Sequence, residues 1–255
     1  MEKIVKLKKL FKTFNLDGYI IPKNNKFFGE YVAAFEDNLK YISNFTGSTG
    51  FAVILKNKNY MFVDGRYTIQ ADIQCGDKFQ ICTVPKDCPF SIFKKKNLNL
   101  GFDPKLHTEN SLNRLFNNSF IKLKPINVNL IDLLWKRDTN SNNKPFYLIE
   151  DKDAGSNIKK KLVKLIKLIK LNKVNYLFIT APENIAWLLN IRGDDIDYSP
   201  LPNSHAVIKE DGKILLFCDL KKITKSLKDK INKNIKIYDF NLLPNFLWHF
   251  SQSNN

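Results

Sequence analysis

Arg66 is the side chain of this 255-residue sequence best suited to recognising a substrate. Its guanidinium stays charged at any physiological pH and offers a planar fork of donors that matches a carboxylate or a peptide carbonyl. Of 41 basic residues only Arg66, Arg114, Arg137 and Arg192 are arginine, so a fork at position 66 suggests a need that lysine does not meet. The competing reading is local: Arg66 pairs with Asp64 or caps a helix. Arg192 stands close to Asp194 and Asp195 and reads as part of a loop salt bridge orienting two domains. Adjacent residues on an extended segment point to opposite sides, so the two aspartates are not expected to chelate one metal.

No catalytic set and no metal set is expected. The histidines are His107, His205 and His249, and none lies in a His-Gly-x-Gly-His arrangement. His107 reads as a turn residue hydrogen-bonded locally. Cys75, Cys82, Cys88 and Cys218 lack the two-residue gap that lets two thiolates grip zinc, and read as free thiols of a reducing compartment. Gly47-Ser48-Thr49-Gly50 has neither the Gly-Lys-Ser/Thr ending of a nucleotide loop nor the Gly-x-Ser-x-Gly elbow, so it reads as a tight turn. Trp135 and Trp187 read as core residues on apolar helix faces.

The elements that must position these residues follow from periodicity. Ile4, Leu7, Leu10, Phe11 and Phe14 share one face of a helix over 3–14. A buried strand at 19–21, a helix through 31–35, a hairpin of 51–55 with 60–63, and a helix over 66–74 follow. Strands are expected at 79–84, 98–102 and 121–125, with a helix at 108–116. Leu130 to Trp135 reads as a short amphipathic helix, and 139–144 as a polar loop. Beyond it come a lysine-faced helix at 158–171, a strand at 176–179, a hairpin of 206–208 with 214–217, a helix near 219–230 and a strand near 235–239.

The two halves repeat one order of elements. Tyr41-Ile42-Ser43-Asn44-Phe45-Thr46-Gly47 matches Trp187-Leu188-Leu189-Asn190-Ile191-Arg192-Gly193, and each is followed by a hairpin. Asn and Gly tolerate the left-handed backbone that ends a helix. Four elements in matching order point to an internal duplication. The expected class is α/β, with two similar domains at 1–128 and 129–255, each a mixed sheet with helices on its faces.

Several stretches resemble Xaa-Pro aminopeptidases: Tyr41 to Gly50; Val63-Asp64-Gly65-Arg66-Tyr67 with Gln70-Ala71; Gly101-Phe102-Asp103-Pro104 with His107-Thr108; Asn129 to Trp135; and Ile185 to Ile196. The resemblance implies two tandem domains like the creatinase amino-terminal domain, the second shortened at its carboxyl end. It implies that a metal-binding domain, with two manganese or similar divalent ions, lies outside this chain, which is then an inactive recognition and assembly part. Arg66 matches the arginine that reaches toward substrate in that family. Lys23 to Phe28 departs from the family pattern, while Glu30-Tyr31 keeps it. The implied last strand is absent, so strand 235–239 is expected to present a bare edge, with Phe246, Trp248 and Phe250 poorly covered. The resemblance further implies a peptide substrate only together with a catalytic domain, and a homo-oligomer.

Composition bounds the rivals. The net charge of +16 raises nucleic-acid binding, but lysines spread over the whole chain fit solvated faces better than a phosphate track. No run of eighteen apolar residues and no secretion signal is visible, so no membrane partner and a cytoplasmic location are expected. A stand-alone peptide- or protein-binding module remains the rival from another class.

Overall fold

The computed structural model describes residues 2–29, 31–94, 96–117, 120–137 and 144–252. Glu30 and residues 139–143 of the polar stretch lie outside them. The chain divides into two compact units, 1–26 with 30–138 and 27–29 with 139–255.

In the first unit α1 (Glu2–Phe14) leads into β1 (Gly18–Pro22), then α2 (Asn38–Ser43) into the hairpin β2 (Phe51–Leu55) and β3 (Asn59–Asp64). After α3 (Thr68–Cys75) come β4 (Gln80–Val84), α4 (Pro89–Ile92), β5 (Leu98–Phe102), α5 (Glu109–Phe116) and β6 (Ile121–Pro125). The six strands lie in the order β4-β3-β2-β1-β5-β6. β1 is antiparallel to β2 and parallel to β5, so this strand is enclosed on both edges. Ile4, Leu7 and Phe11 bury the inner face of α1 against Tyr19, Ile21, Leu39 and Ile42, and the opposite sheet face packs on Phe93, Leu112 and Phe116.

In the second unit β7 (Tyr147–Leu148) and α6 (Asp151–Ala154) precede α7 (Ile158–Leu171) and β8 (Tyr176–Ile179). Then follow α8 (Pro182–Leu189), β9 (Ile191–Arg192), the hairpin β10 (Ser204–Lys209) and β11 (Ile214–Cys218), α9 (Lys225–Lys230), β12 (Ile235–Asp239) and α10 (Leu243–Gln252). Its main sheet has the order β12-β11-β10-β8, which repeats β4-β3-β2-β1 in sequence order and in strand direction. Both units are sheets flanked by helices.

Several expectations are corrected. Residues 31–35 are not helical, with a turn only from 34; the helix starts later, where the Asp37 carboxylate accepts the Lys40 N–H at 2.9 Å as its N-cap. Residues 130–134 are turns and not a helix; Leu130 and Ile131 are fully buried in the core of the first compact unit, which runs to residue 138. The helix near 219–230 is split, because the Thr224 hydroxyl caps a new start at the Leu227 N–H. β12 does end its sheet, as β4 ends the first sheet. The bare edge peculiar to the second unit is that of β8, which pairs only with β10 among the described residues. Phe246 and Phe250 are partly buried against Phe217, Tyr238 and Tyr176, whereas Trp248 is exposed.

Candidate functional site

The end of β3 brings together two stretches some twenty residues apart in sequence. Asp64 starts a single 3-10 turn, Gly65–Tyr67, and its carboxylate accepts the Arg66 N–H at 2.9 Å. Arg66 folds its guanidinium back on the same carboxylate, Nε at 3.1 Å from both oxygens and Nη2 at 2.5 Å from Oδ2. These bonds hold the Asp64 carboxyl below the ordinary carboxylate range. The Arg66 guanidinium also lies 5.4 Å from the centre of the Tyr67 ring and remains mostly in solvent.

Tyr67 ties this turn to the end of α2. Its hydroxyl meets Ser48 Oγ at 2.8 Å and its ring packs edge-on against Phe45. Gly47 is needed between them: a Cβ there would lie 2.3 Å from Phe45 Cζ and 2.9 Å from Tyr67 Cδ1. Gln70 and Gln74 of α3 donate to the Thr46 hydroxyl at 2.9 and 2.8 Å. The result is a hydrogen-bonded shelf from 45–48 and 64–74 with a cation at its rim, of a chemistry suited to accepting a carboxylate or carbonyl. The local pairing of Arg66 with Asp64 is therefore present, and it leaves the guanidinium accessible.

The second unit has the same turn. Asp219 accepts the Lys221 N–H at 2.9 Å, and Lys222 occupies the position of Tyr67. Lys222 reaches Asp195 in a buried ion pair, and Asp195 also accepts the Asn203 N–H at 2.6 Å. Burial pushes the Asp195 carboxyl up, against the pull of Lys222. Asp194, more exposed, pairs instead with Lys144 at 3.1 Å, so the adjacent aspartates do point apart. Arg192 Nη1 donates to the carbonyls of Ala186 and Ile191, so these contacts brace the second unit internally. Gly193 is required here as Gly47 is in the first unit, since a Cβ would come within 2.8 Å of Phe146.

The repeated helix ends are alike. Asn44 and Asn190 both sit in the left-handed region, at φ 65° and 53°. Lys3 places its ammonium over the Tyr41 ring at 4.2 Å and donates to the Tyr41 carbonyl; Lys161 does the same to Trp187 at 4.7 Å. The Lys161–Asn190 contact, with Asn190 also donating to Ser156, is hidden in the sequence, because Lys161 is one lysine among many on a helix that reads as solvated.

Two readings need correction. His107 is not held by a local hydrogen bond at Nε2, which is buried without a partner; burial pushes this imidazole down to about 4. Trp187 is not core: 60% of its surface is exposed, whereas Trp135 is stacked on Tyr41 at 4.6 Å. The four cysteines are unpaired and buried, with the thiols of Cys75 and Cys82 pushed up to about 11 and that of Cys218 to about 12. Among the described residues no three His, Cys, Asp or Glu side chains gather where they would hold a metal ion, so a two-metal centre does not fit them. Among them too, no helix is long and apolar enough to cross a membrane.

Comparison with known proteins gives a consistent picture. Residues 3–130 and residues 137–255 each match a model of the creatinase/prolidase N-terminal domain. A probable Xaa-Pro aminopeptidase P of Coprinopsis cinerea is 30% identical over 99% of this chain, and aminopeptidase P1 of Arabidopsis thaliana is 29% identical over 85%. The chain spans only 42% and 35% of the lengths of these two relatives. The crystal structure of the X-prolyl aminopeptidase of Caenorhabditis elegans, described as a cytosolic enzyme with a di-nuclear active site, superposes on all of this chain and 45% of its own, with a TM-score of 0.89 and 25% identity.

Proposed function

Because the chain belongs to the creatinase/prolidase N-terminal domain family, with two such domains in tandem, we propose that it is the substrate-framing part of an Xaa-Pro aminopeptidase. The observation that supports this most is the match to the worm X-prolyl aminopeptidase over the whole chain, domain after domain. In this reading the hydrolytic metal pair is supplied by polypeptide outside these residues. There, metal-activated water would attack the peptide bond before proline. Arg66 contributes the charged rim that meets a carboxylate or carbonyl of the peptide, with Asp64 fixing its direction. The buried, unpaired cysteines favour a reducing compartment, in keeping with a cytoplasmic location.

The test is release of the first residue from an Xaa-Pro peptide with added manganese. The chain alone is expected to give none. Joined to the part of the Coprinopsis relative outside the matched region, it is expected to give chelator-sensitive turnover. Arg66→Ala should lower kcat/KM of that fusion by about 10–100-fold, the worth of a hydrogen bond to a charged group. Chelator-sensitive turnover by the unfused chain, or an Arg66→Ala fusion as active as its parent, would sink the reading.

A further inference from the structure

The helix α7 has two unlike sides. Lys161, Leu162 and Ile169 are buried on the inner one, where Leu162 and Ile169 join the core of the second unit. The outer side carries Lys160, Val163, Lys164, Lys167, Lys170 and Leu171, all exposed. At 3.6 residues per turn these six positions fall in one arc of about 120°. Val163 is 47% exposed and Leu171 76%, so two apolar side chains stand in solvent between cations.

The charge on this side is unopposed. From 155 to 182 the chain has seven lysines and no Asp or Glu. Among the described residues none of the four outer lysines lies in an ion pair. The duplicated helix α1 is a control. Lys3 and Lys161 do the same task, which sets the two helices in register. Val5, Lys6, Lys9 and Lys12 of α1 then hold the places of Val163, Lys164, Lys167 and Lys170. The two outer sides differ at the remaining places: Glu2 stands where α7 has Lys160, and Thr13 where it has Leu171. Glu2 pairs with Lys6 at 2.6 Å, so the outer side of α1 is partly neutralised and less apolar.

We propose that the outer side of α7 docks on an anionic lipid membrane, with the helix lying flat along the surface. The lysine ammonium groups meet the negative headgroups, while Val163 and Leu171 reach past them to the acyl boundary. Long lysine stems let the cations stay at the headgroup level as the apolar residues sink. Charge alone would also attract a nucleic acid or an acidic protein. The interleaving of cations with apolar side chains on a convex ridge favours the membrane, because a soft flat surface offers both chemistries along the whole helix. A phosphate backbone gives Val163 and Leu171 nothing to bury against, and α7 has no arginine fork for it. Lying on a membrane needs no spanning helix, so the lack of one among the described residues does not bear on it. The inference stands on α7 and does not use the proposed activity.

Sedimentation with lipid vesicles tests it on the full chain. Vesicles of phosphatidylcholine with about 30% phosphatidylserine should carry the protein down at physiological salt, and vesicles of phosphatidylcholine alone should not. Lys167→Glu with Lys170→Glu should weaken the partition at least ~20-fold, at about fivefold per lysine. Lys9→Glu with Lys12→Glu makes the same charge change at the matching places of α1 and should weaken it by less than about threefold. Val163→Ser with Leu171→Ser leaves the charge unchanged and should weaken it about tenfold. All these positions are exposed, and hydrogen exchange at 206–208 and 214–217 equal to that of the parent checks that the second unit stays folded. No binding to the charged vesicles overturns the proposal. Equal losses from the two lysine pairs also overturn it, since net charge would then be the cause, and so does a serine pair that binds as well as the parent. Tighter binding to soluble polyglutamate or to a DNA duplex than to the vesicles would make an acidic macromolecule the occupant and overturn it too.

Discussion

The turns at 64–67 and 219–222 are one design with two different anchors. Each follows the second strand of its hairpin, and each has an aspartate accepting the N–H two residues on at 2.9 Å. They part at the fourth residue. Tyr67 reaches back to Ser48 through a pair of hydroxyls, whereas Lys222 reaches back to Asp195 through a buried ion pair. The shared frame demands that something tie the turn to the loop after the preceding helix, and leaves the chemistry of the tie open. The third residue teaches a second point. Lys221 is exposed at the place of Arg66, so the same turn folds with a lysine there, whereas Arg66 adds guanidinium bonds to the Asp64 carboxylate.

The comparison breaks most visibly at Lys222. Lys222→Met leaves the Asp195 carboxylate buried without its partner and should destabilise the second unit by about 3–5 kcal/mol, while Lys222→Met with Asp195→Leu should recover most of the loss. Exchange at 204–209 and 214–218 reads both; a single variant as protected as the parent would show that the ion pair is not an anchor. A smaller effect is expected at Tyr67. Tyr67→Phe removes one neutral hydrogen bond and should cost about 0.5–1.5 kcal/mol, seen as faster exchange at 59–64 only. An effect as large as that of Lys222→Met would make the two anchors equivalent.

The finest distinction is in titration order. Burial raises the Asp195 carboxyl and the Arg66 bonds lower that of Asp64, so carbon-13 signals of Asp195 should titrate at the higher pH. The signs of the linked stabilities are opposite. At Asp195 the folded state binds its proton more tightly than the unfolded chain, so the contribution falls as pH rises from the ordinary carboxylate value to the raised one. At Asp64 the contribution is present above the ordinary value and is lost as pH falls through the lowered one. Titration in the reverse order would refute this assignment.

Much of the fold is legible in the amino-acid sequence alone. The hairpins follow from apolar runs around Lys56–Asn59 and Asp211–Gly212, and the duplication from Asn44 and Gly47 recurring as Asn190 and Gly193, because left-handed caps and close approaches restrict residue choice. Burial that depends on remote partners is not legible. Trp187 has the pattern of Tyr41, but whether it is covered depends on a segment far along the chain. Lys222 and Lys161 are hidden among surface lysines, since one residue type serves both a solvated face and a buried anchor. Arg66 is the readable part of the candidate site, because a scarce residue type stands out where a common one does not.

The pairing of β1 with β5 also has a dimension in time. Gly18 and its neighbour Leu100 are far apart in the order of synthesis, although they sit side by side in the sheet. At roughly 5–20 residues per second, β1 emerges from a ribosome about 4–16 seconds before β5 can reach it. For that interval the nascent first half carries an open strand edge, the condition in which chains are most prone to wrong pairings. Its hairpin, by contrast, closes within its own stretch of chain. The growing polypeptide therefore passes through a stage in which its first half has the four-strand order β4-β3-β2-β1, the same order as the main sheet of the second unit.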